Sequence, residues 1–145
     1  MLTTAPHAAD RPTVDRVLAL RAPIAVAAAA VAAVSVVALV DPNEPGHYPT
    51  CPFLAITGAF CPGCGSLRAL HALAHGDLAS ALGSNVLTVL AVLPLIVVWL
   101  RWARRSWAGT ARRSVTPAFA IWVLLAVVCV FAVLRNLPAG AWLAP

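Results

Sequence analysis

The sequence predicts an all-α integral membrane protein, with three transmembrane helices and a short amphipathic helix at the membrane interface. Hydrophobic residues make up 61% of the 145 and charged residues only 10%, far from the balance of a soluble domain. Long apolar runs alternate with segments rich in proline, glycine and arginine. All ten basic residues are arginine, they outnumber five acids to give a formal charge of +5, and most flank the apolar runs. That placement fits membrane orientation and argues against a nucleic-acid-binding stripe.

Residues 1–16 are polar, with Pro6, Pro12 and mixed charges at Asp10, Arg11, Asp15 and Arg16, and read as a disordered cytoplasmic tail in which His7 is a solvated residue. The remainder, 17–145, reads as a single membrane domain. Its first span is expected at about 22–40, where Ile24 to Val40 is broken only by Ser35. A cleavable signal peptide is the rival reading, but Val-Ala-Leu-Val-Asp-Pro is a poor cleavage site, so a retained anchor is favoured. Asp41-Pro42-Asn43-Glu44-Pro45-Gly46 stops the helix and opens a cysteine-bearing loop over 41–66.

Ser66 is placed to cap an interfacial helix over 67–76. On that helix Arg68, His71 and His75 share one side, and Leu67, Leu70, Leu73 and Ala74 cover much of the other. Gly76 ends it and Asp77 is placed to cap the next segment. The second span, about 84–102, contains Pro94, which predicts a kink between Leu90 and Pro94. Arg101, Arg104, Arg105, Arg112 and Arg113 fill the following loop, and the third span is expected at about 115–135. Trp142 is an interface anchor for the tail.

The arginines set the orientation. The five-arginine loop and the N-terminus with Arg11, Arg16 and Arg21 are expected in the cytoplasm, leaving Arg68 and Arg135 outside. The protein then sits in a bacterial plasma membrane as a multi-pass chain, with the cysteine loop and C-terminus extracytoplasmic.

The order Cys51-Pro52, Thr57-Gly58, Cys61-Pro62-Gly63-Cys64-Gly65, Arg68-Ala69, Gly76-Asp77 and Asn85, with Arg135-Asn136 later, resembles a family of small bacterial membrane proteins known as domain of unknown function 2752. Val86 stands where that family usually has proline. The resemblance implies a membrane location and a shared fold, and carries no established activity.

Three readings of Cys51, Cys61 and Cys64 stay open. In an oxidising compartment a structural disulfide from Cys51 to Cys61 or Cys64 would close a loop of about ten to thirteen residues, worth roughly 2–3 kcal/mol, and would leave one thiol over. Cys61 and Cys64 also have the spacing of a redox pair just before a helix N-terminus, with Cys51 as a third thiol. Finally, Cys-Pro-x-Cys-Gly is the form of a zinc knuckle, and Cys51, Cys61 and Cys64 with His71 or His47 make a four-ligand set. Covalent c-type haem is disfavoured because Gly65 stands where histidine is needed. Cys129 reads as a small packing residue within the third span.

Gly65, Arg68, Asp77, Asn85, Arg135 and Asn136 are expected to be structural. Asn85 and Asn136 would join helix ends, and Arg68 would contact lipid phosphate, cap a helix or pair with Asp77. No carboxylate lies within a span, which disfavours ion transport. The expected role is non-enzymatic: the loop forms a rigid cap, stabilised by a disulfide, on the outer face of helices that assemble with themselves or with a larger membrane complex, with no resident cofactor unless zinc is bound. The opposing class is a membrane thiol oxidoreductase using Cys61 and Cys64.

Overall fold

The computed structural model describes residues 13–109 and 118–144, and every regular element among them is helical. Most of the expected polar tail, residues 1–12, and Arg112 and Arg113 of the arginine loop lie outside the described residues.

The first helix, α1 (Thr13–Leu39), begins before the apolar run. Its interior Pro23 is fully buried, and the carbonyl of Pro23 accepts the Trp99 indole N–H at 3.1 Å, which ties α1 to the longest helix. Asp41 ends it: the carboxylate accepts the Asn43 backbone N–H at 2.8 Å in an Asx turn.

That longest helix, α4 (Leu78–Ala108), is two helices joined end to end, because Asn85 leaves the helical region at φ −164° and ψ 98°. Asn85 is where α4 leaves helical angles, and the residues around Pro94 keep them. The Asn85 side chain accepts the Thr88 N–H at 3.0 Å, so Asn85 is the cap of the second half, and its position before Val86 marks the start of the apolar span. Asp77 caps the first half through the Ser80 N–H at 3.0 Å.

Two segments are long and apolar enough to cross a membrane, Leu18–Leu39 and Leu78–Ala108, with mean hydropathies of 2.4 and 2.3. Only 11% of the most apolar stretch of each is buried. A soluble protein's core helix would be covered, and a leader peptide would not account for the second. The third apolar helix, α5 (Ala118–Leu134), has 17 residues and a length of about 26 Å, shorter than these two. Its surface is nearly all exposed, from Phe119 to Leu134.

Between α1 and α4 lie two short helices, α2 (Pro52–Thr57) and α3 (Ser66–Ala74). The first arises inside the stretch read as loop: Pro52 supplies the helical φ at its first position, and Gly58, at φ +70°, closes it. It buries nothing and leaves Phe53 and Ile56 exposed.

The α3 helix packs on α4 and α1 and buries Ala69 and Ala72. Its cap is Gly65, at φ +84°, while the Ser66 hydroxyl turns to Thr88 Oγ1 at 2.7 Å. His71, expected on the wet side, has Nδ1 2.8 Å from the Val37 carbonyl, one of the last acceptors of α1, and Nε2 3.8 Å from the Asp41 carboxylate.

After α5 a 3-10 helix (Pro138–Leu143) turns back onto the ends of α4 and α5. It seats buried Gly140 against the Leu134 carbonyl, with no room for a side chain. Trp142 projects outward.

Candidate functional site

The sulfur atoms of Cys51, Cys61 and Cys64 all lie within 4.8 Å of one another. Cys61 Sγ is 3.0 Å from Cys64 Sγ and 3.4 Å from Cys51 Sγ, and the three are free thiols, so the expected disulfide is not formed among them. Local chemistry places each of them. Cys51 precedes the first turn of α2. Cys61 and Cys64 share a tight turn closed by the Cys64 N–H to the Cys61 carbonyl at 3.1 Å, with the next bond running from the Ser66 N–H to the Gly63 carbonyl at 3.0 Å. The left-handed backbone that Gly65 adopts then lets α3 begin immediately.

This turn is held from outside by side chains far away in sequence. The Asn85 amide N–H group donates to the carbonyls of Pro62 and Cys64, both at 3.0 Å, and to Ser66 Oγ at 3.3 Å. Arg135 Nη1 donates to the Cys61 carbonyl at 2.8 Å and to Pro62 at 3.4 Å. Asn136 pairs twice with the backbone of Phe60: its Oδ1 accepts the N–H and its Nδ2 donates to the carbonyl, both at 2.8 Å. Asn85 and Arg135 are each only 1% exposed. These bonds satisfy the turn's backbone and fix the direction of the sulfurs, as outer-shell partners do around metal centres.

Arg135 is unusual in its surroundings. Its guanidinium lies 5.0 Å from the Phe131 ring centre and 5.8 Å from that of Phe60. Nε and Nη2 are buried with no hydrogen-bond partner, and no carboxylate pairs with it among the described residues. The groups of opposite charge within its electrostatic reach are the thiolate forms of Cys64 and Cys61.

The thiols differ in acidity. Cys51 is lowered to about 7, chiefly because the backbone N–H of Leu54 and then the Cys61 thiol favour its thiolate. Cys64 is pushed up to about 12 by burial and by the neighbouring Cys61 thiol. An open groove of about 310 Å³ runs beside them, with Cys51, Cys64, Gly65 and Arg68 in its lining and no carboxylate or histidine.

Of the sequence-predicted residues, the structure brings together Cys51, Cys61, Cys64, Gly65, Asn85, Arg135 and Asn136, with Arg68 at the groove. It does not bring His71 or His47 to the sulfurs. His71 serves the end of α1, and His47 Nδ1 lies 3.2 Å from the Asp41 carbonyl and 3.5 Å from Glu44. Asp77 caps α4 away from the cluster, and Cys129 is an exposed residue of α5 that stands apart. Thr88 and Phe131 were missed. The spacing of Asn85 to Thr88 is that of a cap to the third residue of its helix, and would have pointed to the first; no local pattern marks Phe131.

With the turn and its clamps defined, the chain can be compared with known proteins. Residues 51–99 match the family described as "Protein of unknown function (DUF2752)". The matched segment holds all three clustered cysteines, Arg68 and Asn85, while Arg135 and Asn136 lie beyond it. No curated protein and no solved structure matches the chain.

Proposed function

We propose that the chain is a three-span plasma-membrane protein whose extracytoplasmic loop is a rigid metal-binding cap, with zinc the simplest occupant and a structural or complex-associated role. The observation that carries it is the convergence of three sulfurs within 4.8 Å, two of them on a turn held by Asn85 and Arg135. Tetrahedral zinc with bonds of about 2.3 Å separates its sulfurs by about 3.8 Å, so the three thiols need only small shifts to bind one ion. A buried arginine with no carboxylate supports a persistently anionic neighbour, which a thiolate centre supplies.

The orientation follows from the arginine distribution, with α5 as the third span despite its length. Exposed Phe53 and Ile56 on α2, and Trp142 beyond α5, would then meet the membrane interface. The bare apolar surfaces of α1 and α5 suit contact with lipid, a second copy or a larger membrane complex.

Thiol–disulfide exchange is the second reading, favoured by the position of Cys61 within 3.4 Å of both other sulfurs. Here a partner disulfide is the oxidant: Cys61 thiolate attacks it, Cys64 resolves the mixed disulfide, and the partner leaves as a dithiol.

Labelling intact cells with a membrane-impermeant maleimide separates the readings. The metal reading predicts thiols that are blocked until a chelator is added and that do not respond to reductant alone. Labelling released by reductant alone would show a disulfide, and labelling only after permeabilisation would overturn the orientation.

A further inference from the structure

Three protein sulfurs leave one position of a tetrahedral zinc-class centre without a protein ligand. Closed structural sites supply four, whereas sites with three keep the fourth for water or an outside ligand. Among the described residues no histidine or carboxylate joins the cluster. His71, the best candidate by sequence, directs its ring nitrogens to Val37 and Asp41. Beside the sulfurs lies the groove of about 310 Å³, near the lower end of small-ligand sites at about 300–1,000 Å³.

Charge identifies what suits that position. Three thiolates and one divalent cation leave a single negative charge. Arg135, buried beside Cys61 and Cys64 with Nε and Nη2 unpartnered, balances it. Arg68 is then left over: it lines the groove with Cys51 and Cys64 and has no hydrogen-bond or ion-pair partner among the described residues. With no acidic group in the lining to oppose it, the groove favours an anion over a cation at the open position.

We infer that the three-cysteine centre is an open metal site, holding a divalent thiophilic cation as a tris-thiolate balanced by Arg135, whose fourth position takes a small anionic ligand held by Arg68. This rests on the metal reading above and extends it from a structural knot to a ligand-binding centre.

Cobalt(II) is the probe, because its visible absorption reports both thiolate bonding and the identity of a fourth ligand. Full-length, reduced, detergent-solubilised protein is loaded with cobalt(II) and titrated with thiocyanate. The expected result is a saturable shift of the visible bands with the thiolate-to-cobalt absorption retained. Arg68→Gln should weaken thiocyanate roughly tenfold, the loss of one charge-assisted contact, while leaving cobalt affinity within about twofold, and Arg68→Lys should recover part of the loss. Bands that ignore thiocyanate, or respond equally in Arg68→Gln, overturn the open site and leave metal binding standing. Failure to bind cobalt at all overturns both.

Discussion

Arg135 Nη1 lies 2.8 Å from the carbonyl oxygen of Cys61, a residue 74 positions earlier in the chain. A charged donor from the far end of α5 thus holds the backbone of the cysteine turn, while its remaining nitrogens stay dry and unpaired. Arg135→Lys keeps the charge but loses the planar guanidinium whose Nη1 reaches both carbonyls. Arg135→Met removes both. Metal affinity should fall roughly 10- to 100-fold in Arg135→Met, as for other outer-shell losses, and less in Arg135→Lys. Competition with a chromogenic chelator measures it; equal affinity in all three proteins would remove Arg135 from the site.

Asn85 combines a helix cap with three donated contacts in a buried position. Asn85→Ala loses the cap, about 1 kcal/mol, and leaves carbonyls of the turn unsatisfied, so a total of about 2–4 kcal/mol is expected. Asn85→Asp keeps the acceptor for Thr88 but places a carboxylate against the Pro62 and Cys64 carbonyls, and should be no better. Thermal unfolding in detergent ranks them. An Asn85→Asp protein as stable as the parent would show that the cap alone matters.

Gly140 seats the 3-10 helix on the end of α5, where a methyl group would collide with the Leu134 backbone. Gly140→Ala should lower stability and loosen Arg135 and Asn136, which lie between the two. Gly83→Ala is the contrast: its position is open, and helix propensity favours alanine by about 1 kcal/mol. Protein abundance in membranes should separate the pair.

In reduced, metal-free protein Cys51 should alkylate with a half-maximal rate near pH 7, since its thiolate forms above that value. Cys64, pushed up to about 12 and buried, should react only on unfolding. Peptide mapping of iodoacetamide adducts across pH tests both. Comparable labelling of the two at pH 7 would contradict the environments described here.

The helical class and two apolar spans were legible because hydropathy is a sum over many residues and tolerates local error. The break at Asn85 was legible only in part. Asparagine marked a helix end, but Pro94 drew the expected kink, and a lone proline within a long apolar helix is accommodated without leaving helical angles. The α2 helix was missed although Cys51-Pro52 and Thr57-Gly58 bracket it, because six residues carry too little periodicity to stand out from a loop. The convergence of the three cysteines could be suggested by spacing. That His71 turns away from them to α1 could not, since it depends on where α3 packs. Likewise Arg135 was marked as structural without a partner, and Asn136 as joining helix ends and not as holding Phe60, because contacts across more than 70 residues leave no local trace.

The account turns on whether the three sulfurs hold a metal ion, and native mass spectrometry of the purified full-length protein answers this most directly. It should find one divalent ion per chain, lost in Cys51→Ser, Cys61→Ser and Cys64→Ser and kept in Cys129→Ser and His71→Ala. A metal-free chain lighter by two hydrogens, with a disulfide among these cysteines, would contradict it.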